Sequence, residues 1–254
     1  MYVAETSYQS GTNVLTRSDG RLDVTNISRL VDEIATLKAA GVQLILVSSG
    51  AVGAGRELLP AADRLESVER RQMLSAIGQV RLMEVYRQLF AGHGLLCAQV
   101  LATKSDFRDE QHYGNMLNCF RALLHDQVVP VVNENDVVAV TELMFTDNDE
   151  LAGLVAQMLQ ADAFVILSTV DGLLDGPPGQ TSSRLITHVK ANDTAALGFI
   201  TPGQSSFGRG GMATKLRMAQ QAAAHGIRVY LGHGRRPGLL TGLLKNEWYG
   251  TIVE

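Results

Sequence analysis

Val128-Val129-Pro130-Val131-Val132-Asn133-Glu134-Asn135-Asp136 sets an apolar run directly against four polar side chains. A short apolar run bounded by turn formers reads as a strand buried on both faces. Such strands belong to parallel sheets covered by helices, and ligands bind beyond their carboxyl ends. Four polar groups at a buried strand end need partners, and a ligand ammonium is a natural one. Turn formation by Asn and Asp is the bland alternative.

The same alternation extends outward in both directions. Val24 to Leu37 repeats apolar residues at helical spacing, and Gln43 to Val47 reads as a buried strand. A long helical region over Leu65 to Phe90 could offer an interface between copies of the chain. Leu95 to Leu101 is the next strand and Gln111 to His125 the next helix. Val137 to Phe145 is too short for a crossover helix and suits a hairpin. Downstream, Ala163 to Leu167 and Ile227 to Leu231 are strands, with a helix through His225 between them. Pro177-Pro178-Gly179 marks a surface loop, and Ile186 to Ile200 is a less regular excursion. The fold class expected is α/β, an open, mostly parallel sheet sandwiched between helices.

Composition narrows the function classes. The chain has 254 residues, 46% of them hydrophobic, enough for a full core, and a formal charge of −4. No Lys/Arg block interleaves with aromatics, so a nucleic-acid surface is not expected. No stretch of about 18 apolar residues suggests a membrane span. The amino terminus lacks the pattern of a signal peptide. Cys97 and Cys119 are flanked by apolar residues and read as reduced core thiols, which points weakly to the cytosol. The histidines show no metal-ligand spacing, and no protein metal site is expected.

Four loops carry the chemistry. In the first, Ser48-Ser49-Gly50-Ala51-Val52-Gly53-Ala54-Gly55-Arg56, small residues after a strand let backbone N–H groups approach an anion. Close packing explains those glycines about as well, and the order is not a dinucleotide fingerprint. Ser49 is the residue selected there for a ligand contact. The second loop is Asn133 to Asp136. The third, Asp147-Asn148-Asp149, precedes the apolar helical positions Leu151, Leu154, Val155 and Met158. One Asp would suffice as a helix cap, and three hydrogen-bonding side chains exceed that need. The fourth, Gly208-Arg209-Gly210-Gly211-Met212-Ala213-Thr214-Lys215, puts backbone amides, an Arg and a Lys at a helix start, where a phosphate can bind. A solvated helix position for Lys215 is the bland alternative.

Together, in this order and spacing, these loops resemble the amino acid kinase family, and within it the branch that phosphorylates glutamate. Gly11-Thr12-x-Val14-Leu15-Thr16, Ser49-Gly50-Ala51-Val52, Asn133 to Asp136, Asp147 to Asp149 and Gly210-Gly211-Met212-x-Thr214-Lys215 carry the resemblance. Gln79-x-Arg81-Leu82, Tyr113-x-Asn115 and the closing Gly250-Thr251-Ile252-Val253 fit the same pattern. The resemblance implies one domain over 1–254, with an amino-acid-binding part over about 1–160 and a nucleotide-binding part over about 161–254. Longer members carry a carboxyl-terminal PUA module, before which this chain stops.

The family implies that Ser49, Gly50, Ala51, Asp136 and Asn148 hold L-glutamate. Asp149 would order the catalytic groups, and Lys215 would stabilise charge on the transferred phosphoryl. ATP would contact Ser168, Thr169, Arg209, Gly210, Gly211, Met212, Ala213, Thr214 and Lys215, with Mg²⁺ carried on its phosphates. The reaction implied is phosphorylation of the glutamate side-chain carboxylate, the first step of proline synthesis, in a cytoplasmic homo-oligomer. Two departures stand out. Gln9 occupies the place of the family's first-strand lysine, and Ser168-Thr169 stands where Thr-Asp is usual. Arg209, at a loop position that is usually small and uncharged, would supply part of the missing charge. A degenerate, non-catalytic relative that binds glutamate or nucleotide fits those departures, and a slowed kinase fits the intact positions.

Overall fold

A computed structural model describes residues 2–6, 14–17, 19–59, 67–139, 148–200 and 211–254. Gln9, Asp147, Arg209, Gly210 and most of the expected 137–145 hairpin lie outside them; of the described start of that stretch, 137–138 is turn and 139 is irregular, and none of it is strand.

The strands are β1 (Tyr2–Thr6), β2 (Leu44–Ser48), β3 (Cys97–Ala102), β4 (Val129–Glu134), β5 (Ala163–Ser168), β6 (His188–Val189), β7 (Arg228–His233) and β8 (Thr251–Val253). The helices are α1 (Val24–Ala39), α2 (Ala51–Leu58), α3 (Ser67–Gly92), α4 (Glu110–His125), α5 (Asn148–Met158), α6 (Met212–Ala224) and α7 (Leu239–Gly242). All eight strands join one sheet in the order β3-β4-β2-β1-β5-β7-β8-β6. The neighbours from β3 through β7 run parallel, and β8 returns antiparallel to β7. β1, whose Ala4-Glu5-Thr6 is a poor strand by composition, pairs along its whole length with β2 and β5. Its place is set by two apolar neighbours, which overrides local propensity.

Side-chain alternation builds two cores, one on each face. From β2 and β5, Ile45, Val47, Phe164 and Ile166 point to the face covered by α4, α5 and α6. Leu44, Leu46, Val165 and Leu167 point to the opposite face, against α1, α3 and α7. Helix α1 meets the sheet through Ile27, Leu30, Val31, Ile34 and Leu37 at helical spacing. Each such side chain, fully enclosed, contributes about 1.5–3 kcal/mol of burial.

Two expectations change. The glycine-rich stretch after β2 is a turn only through Gly50; Ala51 to Leu58 is helix. Its Gly55 faces the Leu74 carbonyl, and Gly78 of α3 faces the Ala51 carbonyl, so these glycines let two helix backbones touch rather than cradle an anion. The cysteines are not both core thiols: Cys97 is half-buried and Cys119 is exposed. In α4 the residue beside Cys119, Phe120, takes the inward position, and a 100° step turns the thiol outward.

Candidate active site

Because the central strands are parallel, their carboxyl ends share one edge. β2 and β5 flank β1 on opposite sides, so the chain switches direction across that strand and opens a crevice at this edge. β2 ends at Ser48, whose Oγ lies 2.8 Å from the buried Tyr86 hydroxyl; burial pushes that phenol's pKa well above its ordinary value. Gly50 then turns the chain into α2 with φ 106°, a left-handed conformation costly for other residues.

Three amide side chains run between the ends of β2 and β4. Asn148 Nδ2 donates to the Ser48 carbonyl (3.0 Å), to Ser49 Oγ (2.8 Å) and to Asn133 Oδ1 (3.3 Å). Asn133 Oδ1 also accepts from the Glu134 backbone N–H, and Asn133 Nδ2 donates to Gln79 Oε1. A main-chain acceptor at one end and a main-chain donor at the other orient all three amides. One buried donor of this network, Gln79 Nε2, is left over among the described residues.

Asp136, buried just past β4, is gripped from α3. Its Oδ1 accepts from Arg71 Nε (3.0 Å) and Nη2 (2.7 Å), and its Oδ2 accepts from Ser75 Oγ (2.7 Å). Arg71 Nη2 also reaches Glu134 Oε2 at 3.2 Å. Near this end of the sheet a cavity of about 410 Å³ opens, lined by Leu101, Thr103, Asp106, Asn135 and Val138 among others.

On the other side of Asn148, Asp149 and Lys215 form a fully enclosed ion pair. Lys215 Nζ donates to Oδ1 at 3.0 Å and to Oδ2 at 2.8 Å, and both side chains are 0% exposed. Lys215 is therefore not a solvated helix residue. Desolvating two charges costs several kcal/mol per ion, so such a pair is weak evidence for stability and better evidence for a working site. Lys215 lies in the first turn of α6, behind Gly211, Met212, Ala213 and Thr214, and no side chain caps that helix start. Ser168 ends β5, with its Oγ buried and unpartnered among the described residues, and Thr169 follows it.

The fold thus joins Ser49 to Asn148 and Asp149 to Lys215 by direct bonds, and sets Asp136 and Ser168 at the carboxyl ends of β4 and β5, with β2 and β1 between them. Gly50 and Ala51 adjoin Ser49. Reading the loops alone missed Arg71 and Ser75 and left Asn133 and Gln79 without partners. A signal was present: Arg71, Ser75 and Gln79 are four residues apart, a polar stripe along one face of α3.

The amino acid kinase family profile matches residues 10–233. The chain belongs to the amino acid kinase family. Its similarity to glutamate 5-kinase of Bacteroides thetaiotaomicron is 47% identity over 92% of this chain and 65% of that protein. For glutamate 5-kinase of Chlorobaculum tepidum it is 48% over 95% and 66%. The chain thus spans just under two thirds of the length of these relatives. Amino acid kinase architecture recurs in a carbamate kinase from Giardia lamblia bound to AMP-PNP, with TM-score 0.69, 18% identity and 99% and 96% of the two chains covered. An isopentenyl phosphate kinase of T. acidophilum, in a product complex, gives TM-score 0.66 at 14% identity, covering 100% of both chains. At such identities these two speak for the fold alone.

Proposed function

We propose that this amino acid kinase phosphorylates the side-chain carboxylate of L-glutamate with ATP, giving L-glutamyl 5-phosphate and ADP, the first step of proline synthesis in the cytoplasm. The observation that carries the reading is the junction at the start of α5. Asn148 is bonded to Ser49, while the next residue, Asp149, holds Lys215. One helix terminus thereby links an amino-acid side to a phosphate side. The glutamate 5-kinases similar over most of this chain support the choice of substrate.

In this reading Asp136 and Asn148 Oδ1 offer acceptors to the glutamate ammonium, and Ser49, with Gly50 and Ala51 at the start of α2, faces its carboxylate. Ser168, Thr169 and the α6 start receive the nucleotide, with Arg209 and Gly210 from the sequence just before Gly211. The two parts of one domain, over about 1–160 and 161–254, would then divide amino acid and nucleotide between them. The γ-carboxylate oxygen attacks the γ-phosphorus as the bond to the β,γ-bridging oxygen breaks, and ADP leaves. A carboxylate is already a nucleophile, so no general base is needed, and positioning with charge stabilisation supplies the rate. Lys215, held by Asp149, supplies positive charge beside the transferred group. Mg²⁺, carried on the ATP phosphates rather than held by side chains, would supply further positive charge to the transferred group. The described residues contain no group of three His, Cys, Asp or Glu side chains suited to hold a metal, and both Asp149 oxygens are already on Lys215. The long helix α3 is the element we assign to contact between copies in a homo-oligomer.

Coupled ADP release measured with and without L-glutamate tests the reading. Glutamate-dependent release is expected, and release that ignores glutamate overturns it. Replacing Gln9 with lysine should raise the rate, because a preorganised charge of this kind is worth about 10²–10³.

A further inference from the structure

The polar stripe on α3 does more than pack. Asp136 is 7% exposed, and each of its carboxylate oxygens has room for about two hydrogen bonds. Oδ1 is filled by two Arg71 N–H groups, whereas Oδ2 holds only Ser75 and keeps one acceptor direction among the described residues. Glu134, 6% exposed and two residues earlier, leans on the same guanidinium. Two enclosed carboxylates at one strand end repel each other, and a guanidinium against both cancels one of the two charges. The one open acceptor direction on Asp136 Oδ2 matches one N–H of an ammonium.

We propose that Arg71 is a specificity-determining positioning residue. It aims Asp136, fixing Oδ1 so that the open direction of Oδ2 is held for a ligand N–H, and the site takes a dicarboxylate bearing one α-ammonium and discriminates against the same dicarboxylate without it. This rests on the glutamate reading above. Lysine is a poor substitute, because an ammonium brings the charge without the planar fork that sets two N–H groups on one oxygen. Arg71 touches no substrate atom in this scheme and acts through Asp136.

The test compares Arg71→Met, Arg71→Lys and Ser75→Ala with the unaltered chain, using L-glutamate and glutarate as acceptors. In Arg71→Met the glutamate KM is expected to rise about tenfold or more, the usual cost of releasing the partner that orients a ligand-contacting group. The ATP KM stays unchanged, and the ratio of kcat/KM for glutamate over glutarate falls. Arg71→Lys recovers part of that ratio. A plain structural brace predicts loss on both acceptors together at an unchanged ratio, and that result overturns the proposal. If Arg71→Met does not fold, Ser75→Ala is read by the same ratio, and an unchanged ratio there overturns it equally. Failure of the glutamate reading itself shows in the unaltered chain, as turnover or binding indifferent to glutamate, and takes this proposal with it.

Discussion

At the scale of single residues, the Asp149–Lys215 pair sets two opposite charges in bidentate contact with both side chains 0% exposed. Removing one partner leaves a buried charge unpaired, which costs about 3–5 kcal/mol. Lys215→Met should therefore lower the denaturation midpoint sharply. The double variant Asp149→Leu with Lys215→Met should recover much of that stability while turnover stays lost; urea denaturation beside ADP-release assays separates the two effects. Asp106 is a gentler case. Burial pulls its pKa up, but hydrogen bonds from the Thr103 backbone and hydroxyl and from His112 outweigh that and hold the carboxyl below its ordinary value. A depressed pKa means stability that is present above the unfolded value, about 3.9, and lost as pH falls through the folded one. The stability gap between the unaltered chain and Asp106→Asn, followed by thermal melts, should close as the solution is acidified through that window.

At the scale of elements, the contact between α2 and α3 is the tightest joint near the crevice. A Cβ on Gly78 would run into the Ala51 carbonyl and the Gly55 amide, both backbone atoms of α2. In an open helix Gly→Ala gains about 1 kcal/mol of propensity. Here overpacking, typically about 1–3 kcal/mol, wins instead. Gly78→Ala should destabilise the chain and also raise the glutamate KM, since α2 starts at Ala51, one residue past the Ser49–Gly50 turn. A Cβ at Gly114 in α4 would meet nothing within 4 Å outside its own helix backbone, so Gly114→Ala is expected to stabilise. Opposite signs for two Gly→Ala changes in thermal denaturation are the readout. The strands and helices themselves were legible from apolar periodicity, to within a residue or two for α1, β3 and α4. The boundary of α2 was not, because glycines that pack two helices and glycines that form a loop look alike in a sequence.

For the whole molecule, the parallel sheet sets Ser49, Asp136 and Ser168 along one edge although they are far apart in the chain. Ligands that bridge the two sides of that edge should stiffen the fold as a unit. With L-glutamate and a non-hydrolysable ATP analogue each about a hundredfold above its dissociation constant, each binding adds about 2.7 kcal/mol. Thermal midpoints measured with each ligand alone and with both together are expected to rise in that order. A midpoint that ignores glutamate at saturating concentration would count against the proposed substrate.

The sequence by itself determined the α/β class, the alternation of buried strands with amphipathic helices, and the four polar loops at strand or helix ends. Those follow from periodicity and turn chemistry, which are local. Only the tertiary structure decided which loop groups are bonded to which. Asn148 finds Ser49 across 99 positions and Lys215 finds Asp149 across 66, and no local pattern encodes such a pairing. Likewise, the sequence showed Arg71 and Ser75 as ordinary polar positions on a long helix. Packing of α3 over the carboxyl end of β4 turned that stripe toward Asp136, because the direction a helix face takes is set by what it is packed against.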